Sequence, residues 1–246
     1  MSAVEPPTRD VVATDTVEWL KLPRQRGGWS VVSSIPDVSE LGVSDVVWRA
    51  FFTEMAGELF KLVDDGGLLA LIQTDVRKDG LWVDKSSLVG AGVSAAGGML
   101  LARKIICRRP PGMTSTKRAA YSQLLVFGRT AFDAAVPDTV PDVLADGGPV
   151  TWTRGVGLYA ARAAVDVVKR FAPTTTTIVD PFCGEGMILA VANERGLHAV
   201  GVERHKKRAE LARRLRVADL RIASELTATS TTATSTTTAA TKPTTA

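Results

Sequence analysis

The sequence predicts an α/β fold with a mainly parallel sheet, on three observations. Short β-rich runs alternate with longer stretches of helical periodicity, the last third before the tail reads as a strand, glycine loop, helix, strand and helix, and two consecutive central runs read as an antiparallel hairpin. With 246 residues, 45% of them hydrophobic, the chain has ample apolar surface for a buried core.

The elements follow in order. Residues 1–10 carry Glu5, Pro6, Pro7 and Asp10 and are expected to be an extension without the character of a signal peptide or a basic presequence. Val11 to Thr14 is a short strand ending at Asp15, with a helical piece through Leu22. Trp29 to Ser34 is a strand stopped by Ile35-Pro36, because proline cannot donate to a central ladder. From Val46 to Val63, Val47, Phe51, Met55, Leu59 and Leu62 recur at helical spacing until Asp64-Asp65-Gly66-Gly67 ends the helix. Leu68 to Gln73 is a buried strand, and Ser86 to Gly97 is a weak helix. Met99 to Cys107 and Tyr121 to Gly128 form the hairpin, placed at a sheet edge, around the turn-rich Pro110-Pro111-Gly112. The stretch 130–150, with three prolines and four aspartates, is a connector. A helix from Gly157 to Phe171, a strand Thr177 to Val179, a helix Met187 to Arg195, a strand His198 to Val202 and a helix Lys206 to Arg216 complete seven strands. Residues 224–246, rich in Thr and Ala, hold too little apolar surface to offset the entropy of ordering and are expected to be a disordered tail.

One motif carries chemistry. Asp180-Pro181-Phe182-Cys183-Gly184-Glu185-Gly186 stands directly after a strand and before a helix, where glycines allow close approach of backbone to a ligand and helix amides face it. The next strand ends in Gly201-Val202-Glu203, seventeen residues past Gly186, where an acid in βαβ nucleotide sites accepts hydrogen bonds from ribose hydroxyls. A dinucleotide site is the rival reading. Against it, Leu189 stands where the third glycine of that fingerprint belongs, and Asp180 puts a carboxylate where a pyrophosphate would be repelled and a cationic cofactor attracted.

These residues resemble the class I S-adenosylmethionine-dependent methyltransferases, and within them the circularly permuted branch of DNA and RNA amino-methyltransferases. There, a helix precedes the D-P-F-x-G-x-G loop and a G-x-E strand follows, as Gly157 to Phe171, Asp180 to Gly186 and Gly201 to Glu203 do here. Members of that branch open with an acid-ended strand and helix, then a strand carrying S-P-P-Y or D-P-P-Y; Asp15 to Leu20 and Val32 to Asp37 fall in those places. The resemblance implies a Rossmann-like, seven-stranded, permuted domain over residues 11–223, with a substrate half (11–129), the connector and a cofactor half (151–223). It implies S-adenosyl-L-methionine as cofactor, bound by Asp180, Pro181, Phe182, Cys183, Glu185 and the two loop glycines Gly184 and Gly186, with Glu203 on the ribose and Asp15 on the adenine amino group. Ser34, Ile35, Pro36 and Asp37 would then face the transferring methyl. Ile35 replaces the first proline of the family motif and Asp37 its aromatic residue, which removes a stacking face and leaves Asp37 open to a role as general base or as a partner for a cationic amine.

Between Lys85 and Phe132 lie eight basic residues and not one acid, either a surface for phosphate backbone or a solvated sheet edge. Trp82, Tyr121 and Trp152 are each either a stacking face for substrate or a core aromatic, and His198 and His205 read as surface or packing residues. Cys183 reads as a packing residue, and no metal cluster is seen. Two cysteines exclude a disulfide framework, and no apolar run reaches the roughly 20 residues of a membrane span, so a soluble cytoplasmic or nuclear protein is expected. The expected substrate is a nucleic acid, RNA before DNA, because a connector this short has no room for a target-recognition domain; a protein partner for target recognition fits the same logic. A small-molecule or protein methyltransferase using Asp37 as base, and a binding module without catalysis, stay open at this stage.

Overall fold

The chain enters the sheet at β1 (Arg9–Val12), two residues earlier than the pattern suggests, and turns into α1 (Thr16–Leu20). Asp15 caps that helix, its carboxylate accepting from the Val17 amide at 2.8 Å. The computed structural model describes residues 5–23 and 27–220, so the expected tail lies outside the described residues. β2 (Trp29–Ser33) is buried along its whole length. A one-turn helix, α2 (Val38–Leu41), follows, closed by a capping box between Asp37 and Glu40. α3 (Asp45–Lys61) leads to β3 (Leu69–Gln73), then to a small separate hairpin of β4 (Val76–Lys78) and β5 (Leu81–Val83), and to α4 (Lys85–Ala95). The long strands β6 (Met99–Cys107) and β7 (Tyr121–Gly128) are followed by β8 (Val143–Leu144) inside the connector. The last section runs α5 (Leu158–Phe171), β9 (Thr177–Asp180), α6 (Met187–Glu194), β10 (His198–Val202) and α7 (Lys206–Arg214).

Among the described residues the main sheet has eight strands in the order β1-β10-β9-β2-β3-β7-β6-β8. The first five are mutually parallel, and β7 runs antiparallel to both β3 and β6. Alternation along the central strands divides the core in two. Val32 and Ile178 point to the layer of α5 and α6, whereas Val31 and Val179 point to the layer of α3 and α4. Both faces are thus covered, which is why these strands read as continuous apolar runs.

Two expectations are corrected here. The sheet has eight strands, not seven, and the β6–β7 hairpin is not its edge: β7 lies inside, and β8 pairs with the outer side of β6 through Ile105 and Ile106. A two-residue strand shows no periodicity in sequence. It is held instead by Lys104, 1% exposed, whose ammonium donates to Asp138 at 2.6 Å, the Val140 carbonyl at 2.7 Å and Asp142 at 3.2 Å.

α3 and α4 touch backbone to backbone, since a Cβ on Gly92 would stand 1.9 Å from the Thr53 carbonyl oxygen. Gly92→Ala is expected to cost about 1–3 kcal/mol by overpacking, read as a lower denaturant midpoint at unchanged m value.

Candidate active site

The carboxyl ends of β2 and β9 lie side by side where the order of the parallel strands reverses along the chain, the place where open α/β sheets form a crevice. Ser33 Oγ donates to Asp180 at 2.6 Å, and the Phe182 amide donates to the same carboxylate oxygen at 3.2 Å. The Thr16 hydroxyl donates to the Pro181 carbonyl, and the Cys183 amide donates to the Val202 carbonyl at 3.0 Å, tying the glycine loop to α1 and β10. Gly186 has φ +87°, and a Cβ there would meet the Cα of Ala212 at 2.7 Å. Only glycine fits both demands, so Gly186→Ala is expected to lower the unfolding midpoint and displace the loop.

Three cavities meet at Ser34 and Arg154. One of about 150 Å³ gathers Asp15, Ile35, Pro36, Phe182, Gly184 and Glu203. A small one of about 40 Å³, which shares Phe182 and Gly184 with it, adds Asp180, Cys183 and Glu185. The third, of about 280 Å³, shares Ser34, Ile35 and Arg154 with the first and adds Asp37. Pro181 and Gly186 shape the loop without lining any of the three.

Within the first two cavities, the electrostatics around Asp180 and Glu203 favour a cation. Asp180 is 2% exposed, and burial above all, with the neighbouring charge of Glu203 adding to it, pushes its carboxyl up to about 7 against the hydrogen bonds from Ser33 and Phe182. Glu203 is buried and accepts from the His205 amide at 2.7 Å. Among the described residues neither carboxylate has an ion-pair partner. Two buried acids, each without an ion-pair partner, suit a ligand that brings positive charge and hydroxyl donors to them, in a crevice that Arg154, Arg204 and Arg208 also line. Burial, then Asp180 and Glu203, also push the Cys183 thiol well up, which suits a packing residue and not a nucleophile.

No protein-family model and no curated protein sequence matches the chain. Solved structures do. A Thermus thermophilus protein described as a DNA modification methylase, in complex with S-adenosyl-L-methionine, superposes with a TM-score of 0.61 at 22% identity over 83% of this chain and 92% of that one. The PvuII DNA methyltransferase, cytosine-N4-specific, gives a TM-score of 0.65 at 14% identity over 87% and 90%. The M1.HpyAVI–SAM complex gives 0.54 at 12% identity over 83% and 97%. The chain has a methyltransferase fold.

Within this methyltransferase fold, the position taken by Asp37 is an ionic junction. Its carboxylate caps α2 through the Val38 amide at 2.8 Å and pairs with Arg118 at 3.1 Å and Lys85 at 3.4 Å. Lys85 is 3% exposed, its ammonium 5.7 Å from the Trp48 ring and 5.8 Å from the Phe52 ring, and burial pushes its pKa down. Both oxygens of Asp37 are therefore engaged, unlike the open carboxylate that a general base requires. The Pro36 carbonyl accepts from Trp48 Nε1 at 3.1 Å.

The basic segment has no single role. Lys85 and Lys104 are buried in ion pairs, Arg129 sits over Phe60, and Arg108, Arg109, Lys117 and Arg118 gather at the β6–β7 turn. Trp82 lies on β5, capped by Arg77, and lines none of the three cavities, whereas Trp152 lies against Gly184 with the Arg208 guanidinium 4.1 Å over its ring. Sequence reasoning missed Arg154, Gln73 and the α2 cap. The run Thr151 to Gly157, glycine-flanked and directly ahead of α5, was the available signal for Arg154.

Proposed function

We propose that the protein is an S-adenosyl-L-methionine-dependent methyltransferase acting on nucleic acid. The observation that carries this reading is the pair of buried carboxylates, Asp180 and Glu203, without ion-pair partners among the described residues, around a glycine loop at the strand-end crevice, with Ser34 shared by that crevice and a second cavity. The known chemistry of the cofactor is donation of a methyl from a sulfonium by in-line displacement. Asp180 would hold the positively charged methionine end, Glu203 the ribose hydroxyls, and Asp15 the rim of the adenine site while capping α1. Phe182 and Trp152 would shut water out. Ser34, at the meeting of the cavities, would orient the acceptor with the backbone carbonyl of Ile35, so that catalysis is alignment and desolvation.

Calorimetric titration with the cofactor tests the site: Glu203→Ala should weaken binding on the order of tenfold, the value of charge-assisted hydrogen bonds, and unchanged affinity would refute the assignment. Ser34→Ala should lower turnover on the order of tenfold while moving cofactor affinity far less. Label transfer to RNA, DNA, protein and metabolite fractions tests the substrate. We place RNA ahead of DNA because the 130–150 connector folds back along the sheet as β8 and the partners of Lys104, and so is not itself a separate element that could read a duplex sequence. Transfer to DNA alone would reverse that order, and absence of transfer to any fraction would favour a binding module.

The domain boundaries fit a permuted chain. N-terminal β1 pairs with late β10, and Arg9 and Arg213 lock β1 to α7 through the Ala212, Leu215 and Val11 carbonyls. A chain reopened in the 130–150 connector, with residue 220 linked to residue 9, should fold and bind cofactor; a failure to fold would count against permutation.

A further inference from the structure

On the methyltransferase reading above, we infer that the 280 Å³ cavity beside Ser34 is a nucleotide pocket, in which Gln73 reads the edge of the acceptor base while Arg108 and Arg118 hold its flanking phosphate. Gln73 ends β3 at the wall of this cavity and is 3% exposed, yet its Nε2 has no hydrogen-bond partner among the described residues. A buried amide donor left unmade is costly, and a native fold keeps one where a ligand supplies the acceptor. The primary amide offers a donor and an acceptor in one plane, which matches the edge of a nucleobase. Next to it the Thr74 and Ser122 hydroxyls pair at 2.7 Å, so two hydroxyls share one bond and one O–H is left for a ligand.

Four cations, Lys85, Arg108, Arg118 and Arg154, line the cavity against three acids, Asp37, Glu40 and Asp146. Asp37 is shared by Lys85 and Arg118, while Arg108 donates only a long 3.4 Å contact to Thr74 and has no acidic partner among the described residues. Burial, and then the proximity of Arg118 and Arg109, lower the Arg108 pKa, the mark of cations crowded together. Arg108 and Arg118 also border an outer hollow formed with Arg109, Met113 and Lys117, which holds no acid. The two guanidiniums thus stand between an inner, amide-lined space and an outer, cationic one. A single strand fits that geometry, with one base inside toward Ser34 and its phosphodiester between the arginines, the backbone continuing along Arg109 and Lys117.

The experiment uses the full chain and a labelled single-stranded RNA of mixed sequence, with the matching DNA strand and nucleoside 5′-monophosphates as competitors. Arg108→Ala should weaken strand binding on the order of tenfold and flatten the salt dependence by about one phosphate contact. Gln73→Leu should lower methyl transfer to the strand on the order of tenfold and blunt the preference among bases. Both variants should keep the cofactor affinity of the parent and melt no lower than it, Gln73→Leu gaining stability from removal of the unmade donor. Strand affinity untouched by Arg108→Ala, or turnover and base preference untouched by Gln73→Leu, would overturn the pocket. Monophosphates competing as well as the strand would overturn the strand assignment in favour of a free nucleotide. A parent protein that binds strand at Arg108 but no cofactor would instead fail the methyltransferase reading and leave the pocket standing.

Discussion

Asp180→Asn is expected to stabilise the ligand-free protein at neutral and alkaline pH while abolishing its affinity for S-adenosyl-L-methionine. The carboxyl of Asp180 is raised from 3.8 to about 7 by burial, so between those values the native state keeps a proton that the unfolded chain has lost. The sign follows directly. Stability falls as pH rises from about 4 to about 7 and is level above that, by about 4 kcal/mol in total for a group buried this fully. Asparagine can still accept from Ser33 and Phe182 without a buried charge. Denaturant melts at about pH 4 and about pH 8 should show the variant close to the parent in the first and clearly more stable in the second. A cationic ligand needs the ionised carboxylate, so parental affinity should rise with pH through about 7, with a proton released on binding below it. Equal destabilisation of the variant at both pH values would remove Asp180 from this role.

Asp37→Ala is expected to destabilise the fold by about 3–5 kcal/mol, because it leaves the ammonium of Lys85 buried without its carboxylate. Loss of the α2 cap adds about 1 kcal/mol. Adding Lys85→Met should restore most of the larger part, since methionine fills the space between Trp48 and Phe52 without a charge. A double-mutant cycle by thermal unfolding measures the coupling. Unchanged stability in the single variant would return Asp37 to the role of an open catalytic carboxylate.

The two substitutions differ in how far the sequence foretold them. The acid-headed glycine loop could be found from local pattern alone, because a strand, a tight turn and a helix start each leave their mark within a few residues. Its juxtaposition with Ser33 and Ser34 followed from the resemblance, and the 2.6 Å bond between Ser33 and Asp180 joins the two segments in space. Asp37 reads differently in sequence and in structure, since its partners Lys85 and Arg118 lie 48 and 81 positions away and nothing local announces them. β8 escaped notice because two residues carry no period, and α2 because one turn carries little more.

By itself, the amino-acid order determined that this chain is α/β, where its central strands and main helices run, and that an acid and two glycines head a ligand loop near residue 180. These depend on alternation, helical spacing and backbone permissiveness, which are properties of neighbouring residues. Only the tertiary structure decided that Gln73, Arg108 and Arg118 border one cavity with Ser34, that Lys104 is buried against the connector, and that Asp37 is bound in ion pairs. Such convergence is set by sheet order and by the burial of charges, and both arise from contacts between residues far apart in the chain.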